Sequence, residues 1–389
     1  MTDPLTSAGL ARFDEIAASH VGDTKVPGLV ALVACRDQVH TQALGSLTIG
    51  GPDVRRDSLW RISSTTKPVT GVATLALVRE GLLELDEPVD RLLPELARRR
   101  VLRRMDGPLD DTVAAKRAVT VRDLLTFTFG FGMTGEMFGA AEPWPVVRAT
   151  DELHLGALGP PSPGEQPDPD TWIAGLGSLP LLAQPGERWM YNTGALVLGV
   201  LLARAAGAPI AEVLHSRVFE PLGMRDTAFW APDPGRLATA YMSTPEGLQV
   251  VDPPDGQWSA PPAFGDCAAG LVSTADDLLA LARMLLRSGE PVLSPELVRE
   301  MTRNQLRPGQ AASDDVFLDG RGWSLCQSVV VDGPHAGSFG WDGGFGSSWL
   351  VDPARDLTMI VLTQRLFGGP DDPPRVHEDL QQAAYAALA

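Results

Sequence analysis

The sequence predicts an α/β fold in which one sheet is assembled from both chain ends, is flanked by helices, and brackets a mostly helical insertion. Three observations carry this. A continuous apolar run, Gly28 to Cys35, stands near the start. Helical segments broken by Pro and Gly fill the stretch from about Asp86 to Leu248. Strand-like runs return in the last third and end in a helix. The implied division is residues 1–85 and 249–389 for the α/β part and 86–248 for the insertion.

Residues 8–20 read as an amphipathic helix with Leu10, Phe13, Ile16 and Ala17 on one face. Gly28 to Cys35, bounded by Pro27 and Arg36-Asp37, suits a buried strand, and Val39 to Leu47 its hairpin partner. Ser64 to Glu80 reads as a helix closed by Gly81 in the left-handed position. Val121 to Thr126 is a short helix, and Thr193 to Ala206 a stronger one ending at Gly207. Between them, Gly159 to Asp170 is too rich in Pro for a helix or an inner strand. It reads as a long loop, either a connector or a substrate lid. Ser273-Thr274 ahead of Asp276-Asp277 starts a helix with a hydroxyl cap and acids in its first turn, stopping near Gly289. Trp323 to Val331, Ser347 to Val351 and Leu357 to Leu362 read as strands, and a last helix runs from about Pro374.

Composition narrows the function classes. The 389 residues include 32 Lys plus Arg and 49 Asp plus Glu, a net charge of −17, with 44% hydrophobic and 21% charged residues. That is globular, neither disordered nor collagen-like. The acidic balance argues against nucleic acid or an anionic membrane as the main partner, because phosphate binding needs clustered positive charge. The thiols Cys35, Cys267 and Cys326 are far apart and odd in number, which fits reduced, buried cysteines. Neither they nor the six His show zinc-ligand spacing, so no metal or cofactor is expected. The N-terminus lacks a basic segment followed by an apolar run, and the apolar stretch Ala195 to Ala203 is too short to span a bilayer. The expectation is a cytoplasmic protein of open oligomeric state.

The sharpest chemical signal is Ser64-Thr65-Thr66-Lys67. Residues three apart share a helix face, so the hydroxyl and the amine can meet. At a helix start, unpaired amides and the positive dipole end favour developing negative charge on Ser64. Serine needs a neighbouring base, and burial can make a lysine that base. With 20 Ser and three Lys in the chain, chance gives roughly 0.15 such spacings. The plain alternative is a capping Ser and a solvated Lys. Tyr191 stands just before the strong helix, where its hydroxyl can enter a cleft and shuttle a proton; a half-buried loop tyrosine is the alternative. In Gly340-Trp341-Asp342-Gly343-Gly344, small residues let a substrate lie along a strand edge, and a backbone N–H can join that of Ser64 in an oxyanion hole. A glycine-rich hairpin turn is the alternative. Asp342 is an acid beside this site, able to orient a polar group or repel anions. No Gly-x-Ser-x-Gly elbow, phosphate loop or His-Glu-x-x-His occurs.

These segments, in this order, resemble the serine β-lactamase-like superfamily: class C β-lactamases, DD-peptidases and family VIII carboxylesterases. The resemblance extends over Val121 to Thr126, Pro185 to Trp189, Phe219 to Met224 and Gly270 to Ala275. It implies an antiparallel sheet flanked by helices, with Ser64 as nucleophile, Lys67 as its partner and Tyr191 as the tyrosine of the second motif. It also implies a substrate-binding and oxyanion wall of Asn192, Trp341, Asp342, Gly343 and Gly344. Two departures stand out. Asn192 follows Tyr191 directly, where the family pattern is Tyr-x-Asn. Trp341-Asp342-Gly343 stands where lactamases have Lys-Thr-Gly, so the cation that helps hold a substrate carboxylate is missing. The expected function is ester cleavage through a Ser64 acyl-enzyme, with acyl transfer open, on a small-molecule ester or amide. The alternatives are a β-lactamase or D-amino-acid peptidase, and a non-catalytic ligand-binding protein on the same fold.

Overall fold

The computed structural model describes residues 4–312, 315–368 and 375–389. Seven strands form one antiparallel sheet: β1 (Gly28–Cys35), β2 (Gln38–Gly45), β3 (Gly322–Trp323), β4 (Ser328–Val329), β5 (Phe339–Gly343), β6 (Ser347–Asp352) and β7 (Leu357–Thr363). Five helices matter below: α1 (Ser7–Ser19), α2 (Thr66–Arg79), α3 (Thr193–Ala206), α4 (Ala275–Leu286) and α5 (Arg375–Ala386). Pro374, the expected start of the last helix, lies outside the described residues.

The strand order is β2-β1-β7-β6-β5-β4-β3, so the two chain ends meet at the β1–β7 seam, where Leu29 to Cys35 pair with Thr363 to Leu357. Every residue of β1 is buried because both sheet faces are covered. Leu29, Ala31, Val33 and Cys35 pack with Phe13, Ala17, Leu380 and Ala384 of α1 and α5. Val30, Leu32 and Ala34 join the main core on the opposite face. Two covered faces explain why the run is continuously apolar instead of alternating. Each fully buried Val or Leu contributes about 1.5–3 kcal/mol.

α2 enters that main core and buries every residue from Thr66 to Leu77. Its polar groups stay paired inside the protein: Thr74 Oγ1 donates to Thr70 O at 2.8 Å, and Thr70 Oγ1 to Cys267 O at 2.7 Å. α3 packs on α2 and ends at Gly207, whose φ of 64° is the left-handed cap read from the sequence. Close approach is built in at Gly194, where an added Cβ would stand 2.5 Å from Leu124 O.

Two sequence expectations need correction. Trp323 to Val331 is not one strand. It folds back as β3 and β4, with Ser324 N–H donating to Gln327 O at 2.8 Å and Cys326 at a φ of 65°. The tip of this turn docks into the core, where Cys326 N–H donates to Leu125 O at 2.9 Å. The Gly159 to Asp170 loop is also shorter than expected. Asp168 caps a helix starting at Pro169, its Oδ1 accepting from the N–H groups of Asp170 and Thr171, each at 3.1 Å. Proline is tolerated there because the first turn needs no N–H donor. The three cysteines are free and buried. Among the described residues no single helix is long and apolar enough to cross a membrane.

A buried ion pair ties the approach to α2. Arg61, two residues before Ser63, pairs with Asp252; their side chains are 3% and 4% exposed. Its guanidinium also donates to Pro253 O at 2.9 Å and lies 5.3 Å from the Trp258 ring centroid. Burial pushes the Arg61 pKa down, and Asp252 opposes that shift. Removing one partner strands a buried charge. Asp252→Ala is therefore expected to lose about 3–5 kcal/mol in urea unfolding, with Asp252→Asn losing less. A loss below about 1 kcal/mol, the range of an exposed pair, would show that Arg61 is not held by this carboxylate.

Candidate active site

From Ser58 to Leu77 every residue is buried except Ser64, which is half-buried. Ser63 takes a φ of 44°, and a 3-10 turn, Ser63–Thr65, leads into α2. Lys67 is fully buried, and its Nζ lies 2.9 Å from Ser64 Oγ. Nζ also donates to Ala268 O at 2.9 Å. Lys67 has no ion pair among the described residues; its remaining contact is the Tyr191 ring, with Nζ 4.6 Å from the centroid. The nearby thiols Cys267 and Cys326 are no rival nucleophiles, because burial pushes both pKa values far up.

Tyr191 is positioned from its backbone. It exchanges two N–H···O=C bonds with Met133, each 2.9 Å. Asn192 follows at φ 81° and ψ −62°, and Thr193 N–H reaches back to Tyr191 O at 3.2 Å. This is a γ-turn centred on Asn192, a strained conformation for a non-glycine residue. The turn carries the chain from Tyr191 straight into α3 without the spacer of the Tyr-x-Asn pattern. Asn192 is buried, and its side chain does not cap α3.

The Tyr191 ring sits in an aromatic shell. It stacks on Phe317 at 4.6 Å, with Phe127 at 6.1 Å, Trp323 at 6.3 Å and Trp341 at 5.6 Å between centroids. Its phenol oxygen accepts from Trp341 Nε1 at 2.7 Å. Lys67 thus faces the ring of Tyr191, while the hydroxyl is oriented by Trp341.

β5 forms the other wall. Gly343 lies against the serine turn so tightly that an added Cβ would stand 2.3 Å from both Ile62 O and Ser347 Oγ. Ser347 Oγ donates to Ile62 O at 2.7 Å and locks β6 to the same turn. A Cβ on Gly344 would lie 3.9 Å from Ser63 Oγ. Neither the Ser64 nor the Gly344 N–H donates to a backbone carbonyl among the described residues. Amides left free of backbone carbonyls are the kind of donor an oxyanion can use.

Asp342 is not part of this group. Side chains alternate along a strand, so with Trp341 and Gly343 facing the serine, Asp342 faces α5. There it lines a cavity of about 300 Å³ with Ser348, Glu378 and Gln381, a cavity to which Trp341 and Arg321 also contribute. The period of two carried that information, and it overrides adjacency in sequence. Sequence reasoning also missed Phe317, Trp323 and the 266–270 turn that supplies the Ala268 carbonyl. In the sequence, the aromatic residues of Thr126-Phe127-Thr128-Phe129 are a signal of this shell.

Comparison with known proteins agrees over nearly the full length. The family described as Beta-lactamase matches residues 13–384. Protein Rv1367c of Mycobacterium tuberculosis is 38% identical over 87% of this chain and 85% of its own. Esterase EstB of Burkholderia gladioli is 32% identical over 98% of this chain and 97% of its own. The solved structure of EstCE1, a hydrolase with promiscuous acyltransferase activity, superposes with a TM-score of 0.80 at 26% identity, covering 97% of this chain and 99% of that one. With a family match and relatives of this identity over nearly the whole length, the chain belongs to the Beta-lactamase family.

Proposed function

We propose that the chain is a serine ester hydrolase in which Ser64 forms the acyl-enzyme, Lys67 and Tyr191 handle the proton, and the Ser64 and Gly344 amides hold the oxyanion. The observation that carries this is the 2.9 Å approach of Lys67 Nζ to Ser64 Oγ at the one accessible point of a buried segment. In the neutral form the amine keeps its N–H on Ala268 O and turns its lone pair to the serine hydroxyl. Ser64 Oγ attacks the ester carbonyl as its proton passes to Nζ. The tetrahedral oxyanion collapses, the C–O bond to the alcohol breaks, and the proton leaves with the alcohol by way of Lys67 and Tyr191. Water then adds to the acyl-enzyme through the same groups and releases the acid. An alcohol in place of water gives acyl transfer, a reading supported by the description of EstCE1.

Ester substrates are favoured over β-lactams and D-peptides by the third segment. Trp341 replaces the cation, and its only N–H donor is spent on Tyr191. The lactamase alternative would have to use Arg321, whose guanidinium lies 5.2 Å from the Trp341 ring centroid. A cytoplasmic location belongs to the same reading and is supported by three free, buried thiols.

Short-chain p-nitrophenyl esters, nitrocefin and a fluorophosphonate probe test the assignment together. Ester turnover and probe labelling are expected in the wild type and lost in Ser64→Ala. Lys67→Ala and Tyr191→Phe are each expected to lose about 10²–10⁴-fold in kcat. Nitrocefin turnover equal to ester turnover would reverse the substrate ranking; neither turnover nor labelling would mark a non-catalytic receptor. Gly343→Ala gives a geometric check. Its Cβ would have to push β5 off the serine turn, so kcat is expected to fall about tenfold or more in a folded protein. Full activity in that variant would remove β5 from the oxyanion assignment.

A further inference from the structure

Asp266 is a buried carboxyl, 3% exposed, outside the groups that meet substrate. Its Oδ1 accepts from Ala268 N–H at 2.7 Å and Ala269 N–H at 2.8 Å. Its own carbonyl accepts from Gly270 N–H at 2.8 Å. Residues 266–270 therefore form a turn closed from inside by one carboxylate. Gly270 O accepts from Trp258 Nε1 at 2.9 Å, and three other groups of this segment go to α2. Cys267 O accepts from Thr70 Oγ1 at 2.7 Å, Ala268 O from Lys67 Nζ at 2.9 Å, and Leu271 N–H donates to Thr66 Oγ1 at 3.2 Å.

We propose that Asp266 is a positioning residue for Lys67: by fixing the peptide units at Ala268 and Ala269 it aims the Ala268 carbonyl, and that carbonyl sets where Nζ stands relative to Ser64 Oγ. This rests on the reading of Lys67 as the partner of Ser64. The mechanism is local and steric. Without an acceptor at Oδ1, two buried N–H groups lose their partner, and such groups turn toward another one. Any rotation of the 268 peptide moves the only carbonyl that holds Nζ among the described residues. The amine is then free to leave the serine, because no carboxylate pairs with it among the described residues. Burial pushes the Asp266 carboxyl up, against the two N–H donors and the Lys67 charge. The amides therefore need its oxygen as an acceptor, which a neutral side chain also supplies.

The test compares Asp266→Ala, Asp266→Asn and Lys67→Ala in the full chain, with p-nitrophenyl butyrate kinetics, fluorophosphonate labelling and a thermal melt. Asp266→Ala is expected to lose about 20-fold or more in kcat and in labelling rate, with KM within about threefold, since a misplacement near 1 Å is costly in rate. Asp266→Asn keeps an acceptor oxygen and is expected within about threefold of wild-type kcat. A folded Asp266→Ala with wild-type kcat overturns the proposal. So does a folded Asp266→Asn as inactive as the alanine variant, because the acceptor alone would then not suffice. If Asp266→Ala does not fold, the asparagine variant decides by the same limit. Lys67→Ala separates the two levels: substantial labelling in that variant sinks the Ser64–Lys67 reading itself, whereas loss of labelling there with full activity in Asp266→Ala sinks the Asp266 role alone.

Discussion

Burying a primary amine with no carboxylate in contact among the described residues is the constraint around which the site is arranged. Lys67 is fully enclosed, and an isolated ammonium in such a place costs several kcal/mol unless it is paired or loses its proton. The structure offers three weak partners in place of one strong one: the Ser64 hydroxyl, the Ala268 carbonyl and the face of Tyr191. Each comes from a different part of the chain. The hydroxyl needs the turn before α2, the carbonyl needs the 266–270 turn, and the ring needs the entry to α3. A carboxylate in contact would have satisfied the charge outright; the contacts present share it among a hydroxyl, a carbonyl and a ring.

Two strained backbone corners stand at the same place. Ser63 and Asn192 both adopt positive φ, the first immediately before Ser64 and the second immediately after Tyr191. Each such residue costs on the order of 1–3 kcal/mol and persists only where the surroundings over-determine it. For Ser63 the surroundings are Gly343 and Ser347 pressed against Ile62 O. For Asn192 they are the paired backbones of Met133 and Tyr191 on one side and the buried first turn of α3 on the other. Ser64 and Tyr191, which act together on the proposed reading, are thus delivered by two strained corners, each braced by an element with little freedom to relax.

This explains which parts were readable in the sequence. Features set by local chemistry were legible. The apolar run of β1 announced a strand covered on both faces, Gly207 announced the end of α3, and the Ser64–Lys67 spacing announced a shared helix face. Features set by tertiary contact were not. The strand read over Trp323 to Val331 breaks because its turn docks in the core, which no local pattern records. The 266–270 turn is a string of small residues whose one informative member, Asp266, is spent on backbone amides. Asp342 lay between the extremes: strand alternation would have placed it on the α5 face, but its neighbours in the motif drew it toward the site.

Replacing a cation by an indole changes more than one contact. A lysine on this wall would act at a distance, drawing an anionic group on the substrate toward the serine. Trp341 acts only by touch, through one N–H bond to the Tyr191 oxygen and through ring contacts with Tyr191 and Trp323. The wall becomes an aromatic surface continuous with Phe127 and Phe317. Such a surface gains by covering apolar groups of an acyl chain or alcohol. The net charge of −17 works in the same direction, because it opposes the approach of anionic substrates. On the proposed reading a neutral ester meets neither obstacle, and its carbonyl is the polar group that the Ser64 and Gly344 amides would hold. The indole would then select by what it no longer attracts as much as by what it covers.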